Sequence, residues 1–223
     1  GIIIARNYGA KNEDQLRKSV AATAIIGGIL SLFVIFIGAV GLFPMLQFLG
    51  TPSAIVSQSY LYISTIVNGV AVTFAYNLCA GLLRAVGDSL AALYFLIIAA
   101  ILNILLDLYF ITQLHLGVQS AGIATIIAQG ISALLCLLYI RKKVPFLLPH
   151  RKDFVWDKEL YQDLLSQGLA MGLMTSIVSI GTVILQSAIN QLGTTIISAQ
   201  VAARRIMSFA VLPITAIASS ITT

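Results

Sequence analysis

The chain has 223 residues, of which 59% are hydrophobic and only 9% charged, with a mean hydropathy of +0.98 and a formal net charge of +5. A soluble domain carries roughly 25% charged residues, so this chain lacks the charge to cover a water-facing surface, and lipid is its solvent over most of its length. Its basic residues sit in short loops between apolar runs, which excludes nucleic acid as the partner of the positive charge and makes them markers of membrane orientation instead.

In chain order, 2–5 are too few apolar residues to be a signal or a span and read as the tail of a helix. A spanning helix needs about 20 apolar residues. Four strong runs meet that length, at 19–43, 55–83, 91–112 and 118–140. A weaker run follows at 168–189, and another begins near Thr194. Thr51-Pro52 reads as a cap and first-turn proline for the second run. The runs are too long and too continuously apolar for strands, and a barrel would show alternating segments of about ten residues. The expected fold class is all-α, a polytopic transmembrane helix bundle. Neither end carries a polar flank, and both are expected to be points where a longer protein has been cut.

The loops alternate in charge. Segments 1–18, 84–90 and 141–160 hold eleven of the 13 Lys and Arg residues, while 44–54, 113–117 and 190–193 hold none. The positive-inside rule then places loops 6–18, 84–90 and 141–160 in the cytoplasm. The longest loop contains Pro145 and Pro149, then a polar helix start at Asp157-Lys158-Glu159. The expected organisation is a first bundle over 1–140, a cytoplasmic linker over 141–167 and the start of a second bundle over 168–223.

Seven of the eight acidic residues lie in or beside the basic segments, and Asp107 alone lies inside a span. A carboxylate at depth costs about 2.5–3.5 kcal/mol even on the lenient insertion scale. Asp107 is therefore either a residue tolerated near the outer interface or an ion or proton site. Asn103, four residues earlier, shares its helix face. Counting from the hairpin centre near Leu116, Asp107 lies nine residues before and Thr125 nine after, so the two fall at similar depth. Asn103, Asp107 and Thr125 would offer an amide oxygen, a carboxylate and a hydroxyl to a hard cation, and the carboxylate would equally take a proton.

The second run carries Tyr60, Tyr62, Asn68, Tyr76 and Asn77, which either bond between helices or line a polar cavity. Arg84, Gly87 and Asp88 read as a tight structural turn, with Asp88 or Ser89 capping the next helix. Arg204 and Arg205 lie about ten residues into the last run, and either face a water-filled cavity or show that the run starts later. Cys79 and Cys136 sit inside apolar runs and read as small buried hydrophobes, Met171, Met174 and Met207 read as packing, and His115 and His150 are loop residues. No catalytic set, Walker loop or metal-spaced Cys/His cluster appears, so an enzyme is not expected, no cofactor is expected, and energy would come from an ion gradient.

Leu83-Arg84-Ala85-Val86-Gly87-Asp88-Ser89 resembles the turn after the fourth helix of the multidrug and toxic compound extrusion (MATE) transporters. Leu102-Asn103-Ile104-Leu105-Leu106-Asp107 resembles their fifth helix, and Gly117-Val118-Gln119-Ser120-Ala121-Gly122-Ile123-Ala124-Thr125 the start of their sixth. Tyr8-Gly9-Ala10-Lys11 looks like the loop after their second helix, and Asn190-Gln191-Leu192-Gly193-Thr194 like the turn between their seventh and eighth. The resemblance implies a stretch from the end of helix two to part of helix eight of a two-lobed, twelve-helix transporter. It implies a plasma-membrane antiporter, acting as a monomer when full length, that exchanges Na⁺ or H⁺ for small-molecule drugs and organic cations by alternating access. It also implies that Asn103, Asp107 and Thr125 match the family's cation site, and that Tyr62 and Asn77 are cavity residues near it. The seventh run has Gln186 and no carboxylate, which departs from variants that use a glutamate there. Two rival readings remain open: a lipid-linked oligosaccharide flippase of the same superfamily, which Arg204-Arg205 favours, and a non-transporting scaffold subunit.

Overall fold

A computed structural model describes residues 1–48, 53–114, 117–190 and 194–221. Eight helices are described: α1 (Ile2–Gly9), α2 (Glu13–Phe48), α3 (Ser53–Asn68), α4 (Val70–Ala85), α5 (Ser89–Thr112), α6 (Gln119–Lys143), α7 (Lys158–Asn190) and α8 (Thr194–Ile221). Two 3-10 turns, Pro145–Leu147 and Arg151–Asp153, lie between α6 and α7. Thr51-Pro52, His115 and Leu116 lie outside the described residues. The chain divides into two units, Gly1–Trp156 and Asp157–Thr223.

Among the described residues, four helices are long and apolar enough to span a membrane, at Glu13–Gln47, Ser89–Thr112, Gln119–Lys143 and Lys158–Gln186. The chain is a multi-pass membrane protein. The second apolar run is broken: Val56–Asn68 and Val70–Ala85 reach the length of a span only together and are bent by 47°. Continuous hydropathy over 55–83 concealed the break, which falls at Asn68-Gly69.

In the first unit α6 is the central helix. A third of its span is buried (33%), against 17% for α2 and 22% for α5. The reason is a row of mostly small residues repeating every four positions. Ser120, Ala124, Ala128, Ser132, Cys136 and Ile140 are each at most 1% exposed. Lipid tails are as apolar as leucine, so helices in a bilayer associate through close packing and hydrogen bonds rather than exclusion of water. Small side chains on α6 let α3, α4 and α5 approach it closely. Large side chains such as Leu32, Phe36 and Val40 on α2 (each 68% exposed) face outward from the unit.

The three basic loops meet at one end of this unit. There Leu16, Val20, Leu82, Leu83, Cys136, Ile140 and Leu147 form one buried cluster. Residues 141–156, expected as part of a linker, fold back onto this end. Leu147 is fully buried and Phe146 stacks on Tyr8 with ring centroids 5.9 Å apart. An ionic clasp completes the contact. Asp153 is 4% exposed, and its Oδ2 accepts the His150 amide at 2.7 Å and lies 3.4 Å from Arg17 Nε. Arg17 also pairs with Glu13 and Asp14 in the first turn of its own helix, where carboxylates complement the helix dipole. At the start of α2, Lys11 adopts a positive φ of 54°, and the Asn12 side chain accepts the Gln15 amide at 3.1 Å.

In the second unit, α7 begins at Lys158, ten residues before the apolar run. Asp157 makes this possible by accepting the amides of Glu159 and Leu160 at 3.1 and 3.3 Å. Arg204 and Arg205 lie in the interior of α8, exposed, on a helix that begins at Thr194.

Burial pushes the Asp153 carboxyl up, but the His150 amide and the charges of Arg17, His150 and Lys152 outweigh it, so it titrates below its ordinary value. A depressed carboxylate pKa contributes stability that is present above the unfolded value, about 3.9, and is lost as pH falls through the folded value. The clasp should therefore be intact at neutral and mildly acidic pH and open only below about pH 4. Asp153→Ala should lower stability at pH 7 by about 1–3 kcal/mol, the cost of leaving the His150 amide without its acceptor and Arg17 without one of its three carboxylates. Thermal unfolding in nanodiscs checks this, and an unchanged midpoint for Asp153→Ala would dismiss the clasp.

Candidate functional site

Asn103 and Asp107 lie one turn apart on α5, and Thr125 lies on α6. The structure brings Asn103 and Thr125 together: the Asn103 amide donates to Thr125 Oγ1 at 3.2 Å. The Thr125 hydroxyl donates in turn to the Ala121 carbonyl at 2.8 Å. Counting from the hairpin centre set Thr125 level with Asp107, whereas its partner is Asn103, one turn deeper.

Asp107 is partly buried, and its Oδ1 is shut off from solvent without a hydrogen-bond partner among the described residues. A buried carboxylate oxygen left in this state is costly, and it marks a place where a cation or a proton would be stabilising. One turn away on the same helix, the Asn103–Thr125 pair offers neutral oxygens. The carbonyl oxygen of Asn103 is not engaged by Thr125, and Thr125 Oγ1 keeps a lone pair once its own proton is committed to Ala121. These are hard oxygen donors of one formal negative charge, which suit a small monovalent cation. Among the described residues no three His, Cys, Asp or Glu side chains converge.

Tyr62 and Asn77 are not joined to this cluster by a hydrogen bond among the described residues. Tyr62 is 37% exposed on α3, and Asn77 is exposed on α4 with its amide donating to the Thr73 carbonyl at 2.8 Å. Two polar pairs escaped the sequence reading. Gln119 of α6 donates to Thr65 of α3 at 3.2 Å, and Thr73 of α4 donates to Gln129 of α6 at 2.6 Å. Their signal was present: Gln129 stands four residues after Thr125, on the same α6 face.

The turn at 84–89 is held from two directions. Gly87 has a φ of 88°, which favours glycine, and the Asp88 amide returns to the Leu83 carbonyl at 2.9 Å. Arg84 is exposed beside it. Asp88 Oδ1 caps α5 by accepting the Ala91 amide at 3.1 Å, while Oδ2 accepts the Tyr139 hydroxyl of α6 at 2.9 Å. Phe95 packs edge-on against Tyr139, with centroids 5.7 Å apart.

The MatE family model matches residues 1–109. The chain is similar to the probable multidrug resistance protein YpnP of Bacillus subtilis (strain 168), 29% identical over 208 residues, covering 91% of this chain and 46% of that protein. It is also similar to the probable multidrug resistance protein YoeA of the same organism, 27% identical over 219 residues, covering 95% of this chain and 47% of that protein. The chain thus spans about half the length of the curated relatives it matches. In fold it is similar to a solved inward-facing multidrug resistance MATE family transporter of the MOP superfamily, with a TM-score of 0.86 at 24% identity over 95% of this chain and 49% of the other.

The Asp88–Tyr139 bond generates a double-mutant test. Tyr139→Phe should cost about 1–2 kcal/mol, and Asp88→Ala should cost more because it also removes the α5 cap. The double variant should be little worse than Asp88→Ala alone. Full additivity of the two losses in thermal unfolding would show that the hydroxyl and the carboxylate do not interact.

Proposed function

We propose that the chain, whose residues 1–109 match the MatE family model, is part of a transporter of that family, an ion-coupled antiporter that exports small organic molecules, many of them cationic. The observation that carries this reading is the buried, unpartnered Oδ1 of Asp107 beside the Asn103–Thr125 pair. A carboxylate kept there at a cost of about 2.5–3.5 kcal/mol needs a compensating ligand, and Na⁺ or H⁺ supplies one. With Asp107 ionised, the cluster attracts the ion from the outer side. Once neutralised, the cluster favours a second arrangement of the helices, and substrate leaves outward. One charge crossing 100 mV is worth about 2.3 kcal/mol, which supports a roughly fiftyfold gradient of a neutral substrate. The names of the two Bacillus relatives support drug-like substrates, and Tyr62 and Asn77 are the side chains proposed to meet them. The clustering of the basic loops at one end of the first unit supports a cytoplasmic location for 6–18, 84–90 and 141–160.

One observation favours a second reading. Arg204 and Arg205 are exposed in mid-α8, and Arg204 lines an open groove with Thr182, Met207, Ser208 and Val211. Such a groove suits an anionic substrate such as a lipid-linked sugar phosphate. Transport of a lipid-linked sugar phosphate that is lost in Arg204→Gln, in a parent protein that exports no drug, would favour that alternative.

Asp107→Asn keeps the shape of the side chain and removes its charge. In the protein as the cell makes it, this variant should insert and bind drug normally but lose gradient-driven efflux by at least about tenfold, equivalent to about 1.4 kcal/mol of coupling. Asn103→Ala and Thr125→Ala should weaken coupling less, because each removes a neutral oxygen and leaves the charge. Efflux by Asp107→Asn at the parental rate, with the same dependence on Na⁺ and pH, would remove Asp107 from the mechanism. Single cysteines at Lys11, Ser89 and His150 should resist an impermeant thiol reagent in intact cells, and labelling of any one from outside would invert the topology.

A further inference from the structure

The broken run is gripped from one side by α6. One turn before the break, Gln119 holds Thr65 of α3 at 3.2 Å. One turn after it, Gln129 holds Thr73 of α4 at 2.6 Å. Between these two brackets Ile126 fills the notch at the break. A methyl group built on Gly69 would lie 2.3 Å from both Cδ1 and Cγ1 of Ile126, closer than any packed contact. Gly122, one turn away on α6, meets Thr65 in the same manner at 3.1 Å.

The break has no proline to cause it. Gly69 keeps a right-handed conformation (φ −84°, ψ 0°), its amide reaches the Thr65 carbonyl at 3.0 Å, and its own carbonyl accepts the Thr73 amide at 3.1 Å. Backbone hydrogen bonding therefore runs through the junction on both sides. At the 47° bend a side chain of a neighbouring helix, Ile126, is seated where the glycine leaves room. The two brackets are single neutral hydrogen bonds between membrane helices, a class of contact weak enough to open and reform within a working cycle.

Thr125, which bonds Asn103, is the residue immediately before Ile126. An axial shift or rotation of α6 that changes Thr125 against Asn103 and Asp107 also moves Ile126 within its notch. We infer that the break at Gly69 is a hinge, that Gln119 and Gln129 position its two arms, and that Ile126 conveys the state of the Asn103–Asp107–Thr125 cluster to the bend. The last part rests on the reading of that cluster as the ion site.

Spin labels on the exposed positions Leu61 and Ala75, one on each arm, test this in the whole protein with Cys79 and Cys136 replaced by alanine. Distances between the labels are measured in nanodiscs with Na⁺ added and with pH lowered, separately, and ion binding is measured by calorimetry on the same samples. The coupling ion should shift the distance distribution, and Asp107→Asn should abolish that shift. Gln119→Leu and Gln129→Leu should each broaden the distribution, because each frees one arm. Gly69→Ala should displace it, and Gly69→Ala combined with Ile126→Ala should restore it by making room for the methyl. The glutamine variants keep the test open should Gly69→Ala fail to assemble. Ion binding with no change of distance, and distributions unaltered by Gln119→Leu and Gln129→Leu, would make the break a static kink while leaving the ion site intact. An ion-driven shift that survives in Asp107→Asn would overturn the ion site and the link to it, and would leave the hinge.

Discussion

Close approach to α6 is the constraint on which the first unit depends. A leucine at Ala124 or Ala128 would hold the neighbouring helices away, and with them every polar pair that crosses the interface. Gln119 and Tyr139 donate hydrogen bonds, and Thr125 and Gln129 accept them, across to another helix or its capping turn. None would span the gap left by a larger buried face. In water the same helix would contribute little to stability, since its buried row carries little apolar area. In lipid the small row is effective because the competing interaction, helix against acyl chain, is no stronger than helix against helix.

That packing also decides where charge is tolerated. Arg17 and Asp153 are paired at the basic end of the unit, where three loops, two 3-10 turns and the start of α2 enclose them. Asp88 is shared between a helix cap and a tyrosine. Asp107 differs from both, because its Oδ1 has no hydrogen-bond partner among the described residues. The contrast between two satisfied carboxylates and one unsatisfied carboxylate, within a single helical unit, is the physical basis for assigning the proposed coupling role to Asp107.

Apolar run length was enough to read the spans, because nothing else in a chain with 9% charged residues satisfies its backbone in lipid. Asp107 stood out as the lone acid within a run, and Asn103 followed from helical spacing. The break at Gly69 was harder to see. Asn68-Gly69 is a turn signal, but it sits inside a long, largely apolar run, and Ile126, which is seated against Gly69, belongs to a different helix. The pairing of Thr125 with Asn103 rather than Asp107 is set by how α5 packs on α6, which spacing along one helix does not encode. The Arg17–Asp153 contact joins residues far apart in sequence, and each looked like an ordinary loop charge. The ten extra residues at the start of α7 were signalled by Asp157 as a cap, yet they lie before the apolar run begins.

The clasp has a consequence for how the chain is made. Arg17 leaves the ribosome and meets the inserting membrane long before Asp153 exists. A guanidinium at the mouth of a long apolar helix would, in that interval, seek lipid phosphates or resist correct seating. Glu13 and Asp14, one turn back on the same helix, are available from the first moment and engage it locally. The later arrival of Asp153 then secures an arginine already oriented, so the last event in assembling the first unit is the docking of the segment that leads into the second.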